Sequence, residues 1–178
     1  LQTLDIYEED RNEYFFKKGY ANFQEKKFTA ARASFCEVKD TTSQYSAPSL
    51  YYFSHIAYQE KSYQTALEGF EKLLTDERFK EVVPYYITQI YYLQGRYDEI
   101  TRFSPLLVDE VKSNNTNSMN HLIGDAFYRV GKYDEAIAYL EKYNAKSKTT
   151  RGEDYQLGYA YYRTGDYFKA IKLFDKVS

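Results

Sequence analysis

The chain has no tryptophan, one cysteine, one methionine and three prolines in 178 residues. A lone Cys36 cannot close an internal disulfide, and it leaves the redox compartment open. No apolar run reaches the length of about 18 residues that a membrane-spanning helix needs, so direct membrane insertion is not expected. Nor is there an excess of one charge: 24 Lys and Arg face 26 Asp and Glu, for a formal net charge of −2. That balance gives no broad attraction to nucleic acid or to an anionic membrane surface. A phosphate-binding glycine loop is also missing, because every patterned glycine falls at a turn or a helix contact.

What the chain has in abundance is aromatic side chains, 22 Tyr and 12 Phe, and they are not scattered. The stretch YRVGKYDEAIAYLEKY at 128–143 is echoed by YRTGDYFKAIKLF at 162–174. Aligning on the Tyr of KYDEA gives Phe28, Tyr63, Tyr97, Tyr133 and Tyr167, spaced by 35, 34, 36 and 34 residues. Three residues on stand Ala31, Ala66, Ile100, Ala136 and Ala170, and four further on Phe35, Phe70, Ser104, Leu140 and Phe174. Offsets of three and four put these on one helical face. Nine residues upstream of each aromatic is a small residue: Gly19, Ser54, Thr88, Gly124 or Gly158. Two residues before the aromatic are Gly95, Gly131 and Gly165, with Lys26 and Lys61 in the first two copies.

Each copy therefore reads as helix, short turn, helix, with small residues letting the helices approach and the aromatic filling the space beside them. Such a pair cannot bury its apolar face alone, so copies must stack. The third copy departs from the pattern. Pro105 lies inside its second helix and predicts a kink or restart there, with Ser104 as the N-cap. The polar stretch KSNNTNS at 112–118 predicts a loop.

The units LGYAYYRTGDYFKAIKLF (157–174) and IGDAFYRVGKYDEAIAYL (123–140) closely resemble the tetratricopeptide repeat family, of the multi-repeat bacterial type. The resemblance extends over residues 12–178, as units near 12–46, 47–80, 81–116, 117–150 and 151–178. It implies an all-α fold, a right-handed superhelical solenoid of antiparallel helix pairs with about five repeats. Residues 1–11 are expected to be the tail of a preceding helix or an N-terminal extension, with Leu4 on its apolar face. The chain begins at Leu1 and stops at Ser178, which suggests a piece of a longer array and leaves self-association through uncapped ends open.

The same resemblance implies a concave groove lined by the first helix of each unit. Unit position 5 contributes Phe16, Tyr51, Tyr85, His121 and Tyr155. Position 9 contributes Tyr20, His55, Gln89, Asp125 and Tyr159. Position 12 contributes Phe23, Tyr58, Tyr92, Tyr128 and Tyr162, and position 13 adds Arg129 and Arg163. The Lys and Asn with which some relatives clamp a C-terminal carboxylate are missing from positions 5 and 9. Tyrosine suits a binding wall, since it offers a large apolar area with few rotors and a hydroxyl. The expected function is a protein–protein interaction scaffold that binds an extended or helical partner segment. The alternatives are an architectural spacer in a longer array, or a regulatory or targeting module of a larger enzyme. By analogy with arrays of this spelling, the cell envelope is favoured over the cytoplasm.

No catalytic constellation appears, and no cofactor is implied. His55 and His121 lie two units apart, on the order of 20 Å on a stack of helices spaced about 10 Å, so they cannot share a metal. Cys36 has no histidine beside it and reads as an inert thiol.

Overall fold

Apolar residues recur here at helical spacing, and the computed structural model is helical throughout. It describes residues 2–111 and 113–177, and the side chains among them except those of 2–6 and 113; Leu4 therefore lies outside the described side chains. Among the described residues there are ten α-helices and no strand. They are α1 (Gln2–Gln24), α2 (Phe28–Cys36), α3 (Ser46–Gln59), α4 (Tyr63–Lys72), α5 (Val83–Leu93), α6 (Tyr97–Phe103), α7 (Ser113–Arg129), α8 (Tyr133–Asn144), α9 (Arg151–Thr164) and α10 (Tyr167–Val177). The chain divides into two contact-defined units, Leu1–Val83 and Pro84–Ser178. In the first, α1 packs on α2, α2 on α3 and α3 on α4; in the second, α6 packs on α7, α7 on α8, α8 on α9 and α9 on α10. Residues 2–11 continue directly into 12–24 as one helix.

The turn between paired helices is the same in all five repeats, and it explains where each helix stops. One residue takes a left-handed conformation: Lys26 (φ 58°), Lys61 (φ 61°), Gly95 (φ 68°), Gly131 (φ 78°) and Gly165 (φ 87°). The next residue's N–H donates back to the carbonyl five residues earlier: Lys27 to Asn22 at 2.8 Å, Ser62 to Ala57 at 2.8 Å, Arg96 to Tyr91 at 2.8 Å, Lys132 to Phe127 at 2.9 Å and Asp166 to Tyr161 at 2.9 Å. This closure satisfies carbonyls that the helix end would orphan. A side chain with a Cβ is strained there by about 1–2 kcal/mol. Lys61→Gly should therefore raise stability by about 1 kcal/mol, less the greater unfolded-state freedom of glycine, read as a higher urea midpoint at unchanged slope.

The close approaches predicted from the small residues are present. A Cβ built on Gly19 would lie 2.8 Å from the Phe35 ring, on Gly124 2.8 Å from Leu140, and on Gly158 2.9 Å from Phe174. Phe35 and Phe70 are fully buried, and so are Ala31, Ala66 and Ala136. The third repeat solves the same contact differently. Thr88 and Ser104 are both buried, their hydroxyls 2.7 Å apart, and Thr88 also donates to the Pro84 carbonyl at 2.8 Å. The expected break comes as α6 ends at Phe103 and a 3-10 turn spans Ser104–Leu106. Ser104 is not a side-chain cap, because its hydroxyl is committed to Thr88.

One other expectation changes. Residues 113–118 are the first turns of α7 and not a loop. Thr116 donates to the Val111 carbonyl at 3.0 Å and Asn117 to the Ser147 hydroxyl at 2.6 Å. Buried Met119 and Ile123 fix the face of the helix that follows. The KYDEA aromatic, expected beside the helix contact, pairs with the position-12 ring across the turn, at centroid distances of 5.7 Å (Phe23–Phe28), 6.1 Å (Tyr58–Tyr63), 5.6 Å (Tyr92–Tyr97), 5.6 Å (Tyr128–Tyr133) and 5.8 Å (Tyr162–Tyr167). Tyr167 is 60% exposed.

Candidate functional site

In the first unit, α1 and α3 place the six candidate groove residues among one another's rings. Phe16 stacks on Tyr20 at 6.3 Å, Phe23 meets His55 edge-on at 5.8 Å, and His55 lies 6.1 Å from Tyr51 and 6.5 Å from Tyr58. Tyr51 stacks on Phe79 at 4.8 Å. Tyr20 is exposed and the other five are half-buried. Burial holds the His55 imidazole below its ordinary pKa, because the charged form loses water among these rings. The folded state therefore favours the neutral ring, and the stability this gives is present above the ordinary histidine pKa near 6.5. It is lost as pH falls below that value, where the unfolded chain takes the proton first. Lowering pH from 7.5 to 5 should shift the urea midpoint of the native chain down by more than that of His55→Gln, a window above the carboxylate range.

In the second unit, α5, α7 and α9 bring a denser arrangement together. Asp125 is a buried carboxylate. It accepts from the Tyr92 hydroxyl at 2.8 Å, from Gln156 at 2.5 Å and from the Arg129 guanidinium. Burial first, then the hydrogen bond to Asp125, pushes the Tyr92 phenol up. The Arg129 guanidinium also lies 5.0 Å from the centre of the Tyr97 ring. The same step recurs one repeat on, where Arg163 lies 4.6 Å from the centre of the Tyr133 ring. Arg163 differs in its polar partners, which are hydroxyls: Tyr133 at 3.1 Å and Tyr159 at 3.3 Å. Among the described residues it has no carboxylate partner, whereas Arg129 has Asp125.

Around Arg163 the rings form a connected row. Tyr128 meets Tyr159 at 5.9 Å, Tyr155 stacks on Tyr159 at 6.3 Å, and Tyr159 meets Tyr162 at 6.2 Å. Tyr155 and Tyr162 are 51% and 52% exposed, while Tyr128 and Tyr159 are half-buried. Gln89 donates to the Tyr85 hydroxyl at 2.7 Å. His121 stands apart from the row: it stacks on Tyr143 at 4.4 Å, with its Nε2 3.3 Å from Glu153. Burial raises the Glu153 carboxyl, but hydrogen bonds from Thr150 and Tyr143 outweigh it and hold the group below the usual range. The bond from the Thr150 N–H belongs to the capping box that starts α9, whereas Tyr143 donates from α8.

Partners that the sequence did not give are Gln156, which completes the Asp125 site, and the KYDEA tyrosines beneath the arginines. The KYDEA rings are legible in the sequence as a periodic feature, but their arginine partners are not. Cys36 is exposed at the end of α2. Among the described residues no His, Cys, Asp and Glu converge into a group that could hold a metal, and no helix is long and apolar enough to cross a membrane.

Comparison with known proteins is consistent with this geometry. Two family models, each described as tetratricopeptide repeat, match residues 118–144 and 154–178. No curated protein matches the chain. Among solved structures, the chain is similar to "MamA AMB-1" (18% identity, 94% of this chain and 90% of that one, TM-score 0.74). It is also similar to MamA from Desulfovibrio magneticus RS-1 (16% identity, 94% and 93% covered, TM-score 0.69). A third is YrrB, described as a TPR protein with an unusual peptide-binding site (16% identity, 98% and 89% covered, TM-score 0.76). At these identities the likeness concerns the fold, a helical repeat solenoid. Residues 118–144 and 154–178 thus match tetratricopeptide repeat models, and the same turn and ring pair recurs five times along the chain.

Proposed function

We propose that this protein is an interaction scaffold whose second unit recognises an extended or helical segment of a protein partner along the row Tyr92, Tyr128, Tyr155, Tyr159, Tyr162. The repeat family and fold support protein–protein interaction in general. The observation that carries the finer reading is Arg163, a fully charged group held by two tyrosine hydroxyls and, among the described residues, by no carboxylate. An arginine fixed in this way is ready to take an acidic side chain of the partner. The half-exposed rings beside it already rest on one another, so little rotamer freedom remains to be lost on binding. YrrB, which shares the fold, carries a peptide-binding site by its own description.

The test is a selection of peptides from a displayed random library, followed by titration of the enriched sequence. The selected peptides should be acidic. Tyr128→Ala with Tyr162→Ala, and separately Arg163→Ala, should each weaken binding by roughly tenfold or more at unchanged helicity. Equal affinity in all variants would contradict the groove and return the array to a spacer.

A further inference from the structure

A second feature of the second unit lies away from the tyrosine row. Between α8 and α10, over α9, is a cleft of about 500 Å³, a volume within the range of ligand pockets. Its floor is apolar, made by Leu157, the Tyr161 ring and Leu173. One wall is the lysine series Lys169, Lys172 and Lys176, spaced so that all three line the same side of α10. Lys169 is braced by Glu141 at 3.5 Å and Lys176 by Asp154 at 2.6 Å. Between them Lys172 has no carboxylate partner among the described residues; its ammonium lies 5.0 Å from the centre of the Phe168 ring. In the opposite wall the Asn144 amide oxygen is buried and meets no donor among the described residues.

The repeat supplies an internal comparison. A smaller cleft, about 200 Å³, occurs in the first unit. Each of its lining positions has a counterpart in the larger one, counted from the aligned aromatics. There Lys39 stands where Asn144 does and lies 5.3 Å from the centre of the Phe53 ring at the cleft floor. Thr65 and Glu68 stand where Lys169 and Lys172 do. The same fold position thus has a smaller cleft in one copy, lined by Lys39, Lys72 and Glu68, and a larger one in the other, where Lys172 stands in place of the glutamate. Backbone geometry does not require the difference, because the repeat builds both.

We propose that the cleft lined by Asn144, Leu157, Tyr161, Lys172 and Leu173 is a second recognition site, for an acidic peptide segment with an apolar residue beside its carboxylate. The apolar side chain rests on Leu157, Tyr161 and Leu173, the carboxylate meets Lys172, and a backbone N–H of the peptide donates to Asn144. The last contact selects a peptide over a fatty acid, which has a carboxylate and an apolar body but no N–H to give. This site does not rest on the groove reading.

The test is a fluorescence anisotropy titration of the whole chain with a fluorescein-labelled hexapeptide of alternating Leu and Asp, with decanoate as the second probe. The expected result is saturable peptide binding that weakens at least tenfold in Lys172→Glu, which installs the first unit's residue type, and in Asn144→Lys. The drop caused by Lys172→Glu should persist in a Tyr128→Ala, Tyr162→Ala background, which removes any peptide held by the tyrosine row. Lys172 is exposed, so Lys172→Glu keeps the test valid if Asn144→Lys perturbs folding, and far-UV circular dichroism checks both. Absence of saturable binding, equal affinity in Lys172→Glu, or loss of binding only in the tyrosine variant would overturn the proposal. Saturable decanoate binding without peptide binding would also overturn it, in favour of an anionic lipid.

Discussion

Phe35→Ala should lower the free energy of unfolding by about 3–5 kcal/mol, the range for emptying a large aromatic site in a packed core. Phe35 is fully buried and is the centre of a cluster with Ala31 and Ile56, against which Phe16, Phe23, Tyr52 and Phe53 pack. Its ring stacks on Tyr52 at 5.4 Å and sits against Gly19, where no side chain could take its place. The walls belong to three helices of the first unit, so the cavity cannot collapse without moving a helix. The control is Phe168→Ala, at a ring 72% exposed, which should change stability by no more than about 0.5 kcal/mol. Urea unfolding of both variants decides the matter. A loss below about 1 kcal/mol at Phe35 would mean that this cluster is not what holds the first unit together.

Gly124→Ala is the second large effect, and its sign is the informative part. Alanine in a helix interior is ordinarily favoured over glycine by about 1 kcal/mol. At Gly124 the added Cβ would meet Leu140 side-chain atoms at 2.8 Å and its backbone nitrogen at 3.1 Å. Backbone cannot yield as a flexible side chain can, so α7 and α8 must separate. Overpacking of this kind costs about 1–3 kcal/mol, enough to reverse the propensity gain. Gly152→Ala is the matched control: its nearest neighbour is the Thr150 hydroxyl at 3.9 Å, so the ordinary preference should survive there. Thermal unfolding should show Tm falling for Gly124→Ala and unchanged or rising for Gly152→Ala. A rise in both would show that the helices are not in the close contact described.

The fold was legible because the features that set it are local and periodic. Small residue, aromatic and alanine recur at fixed offsets, and each offset corresponds to one helix face or one turn. What was misread required knowing what the residues touch. Ser104 looks like a cap by position, yet Thr88, sixteen residues earlier, holds its hydroxyl. The Ser113–Ser118 stretch has loop composition, yet α7 begins there and ties Asn117 to Ser147, thirty residues on. Lys26 and Lys61 interrupt the glycine series in spelling but adopt the same backbone, because the hydrogen bonds closing the turn are main-chain and tolerate a strained side chain.

The rings at positions 5, 9 and 12 were legible as recurring positions of a repeat, since these offsets follow helical spacing. Their polar partners were not. Asp125 draws its donors from Tyr92, Arg129 and Gln156 on three different helices. The contrast between Arg129 and Arg163, one answered by a carboxylate and the other by phenols, depends on the same long-range placement. The lysine-walled cleft was equally hidden: its parts come from α8, α9 and α10 and share no motif.

The central claim is that the tyrosine row around Arg163 is a recognition surface. Amide chemical-shift mapping of the isotope-labelled chain with an acidic peptide selected against it tests this most directly. The account predicts shifts concentrated at Tyr128, Tyr155, Tyr159, Tyr162 and Arg163, abolished in Arg163→Ala. Shifts confined to other surfaces, or the same map in Arg163→Ala, would contradict it.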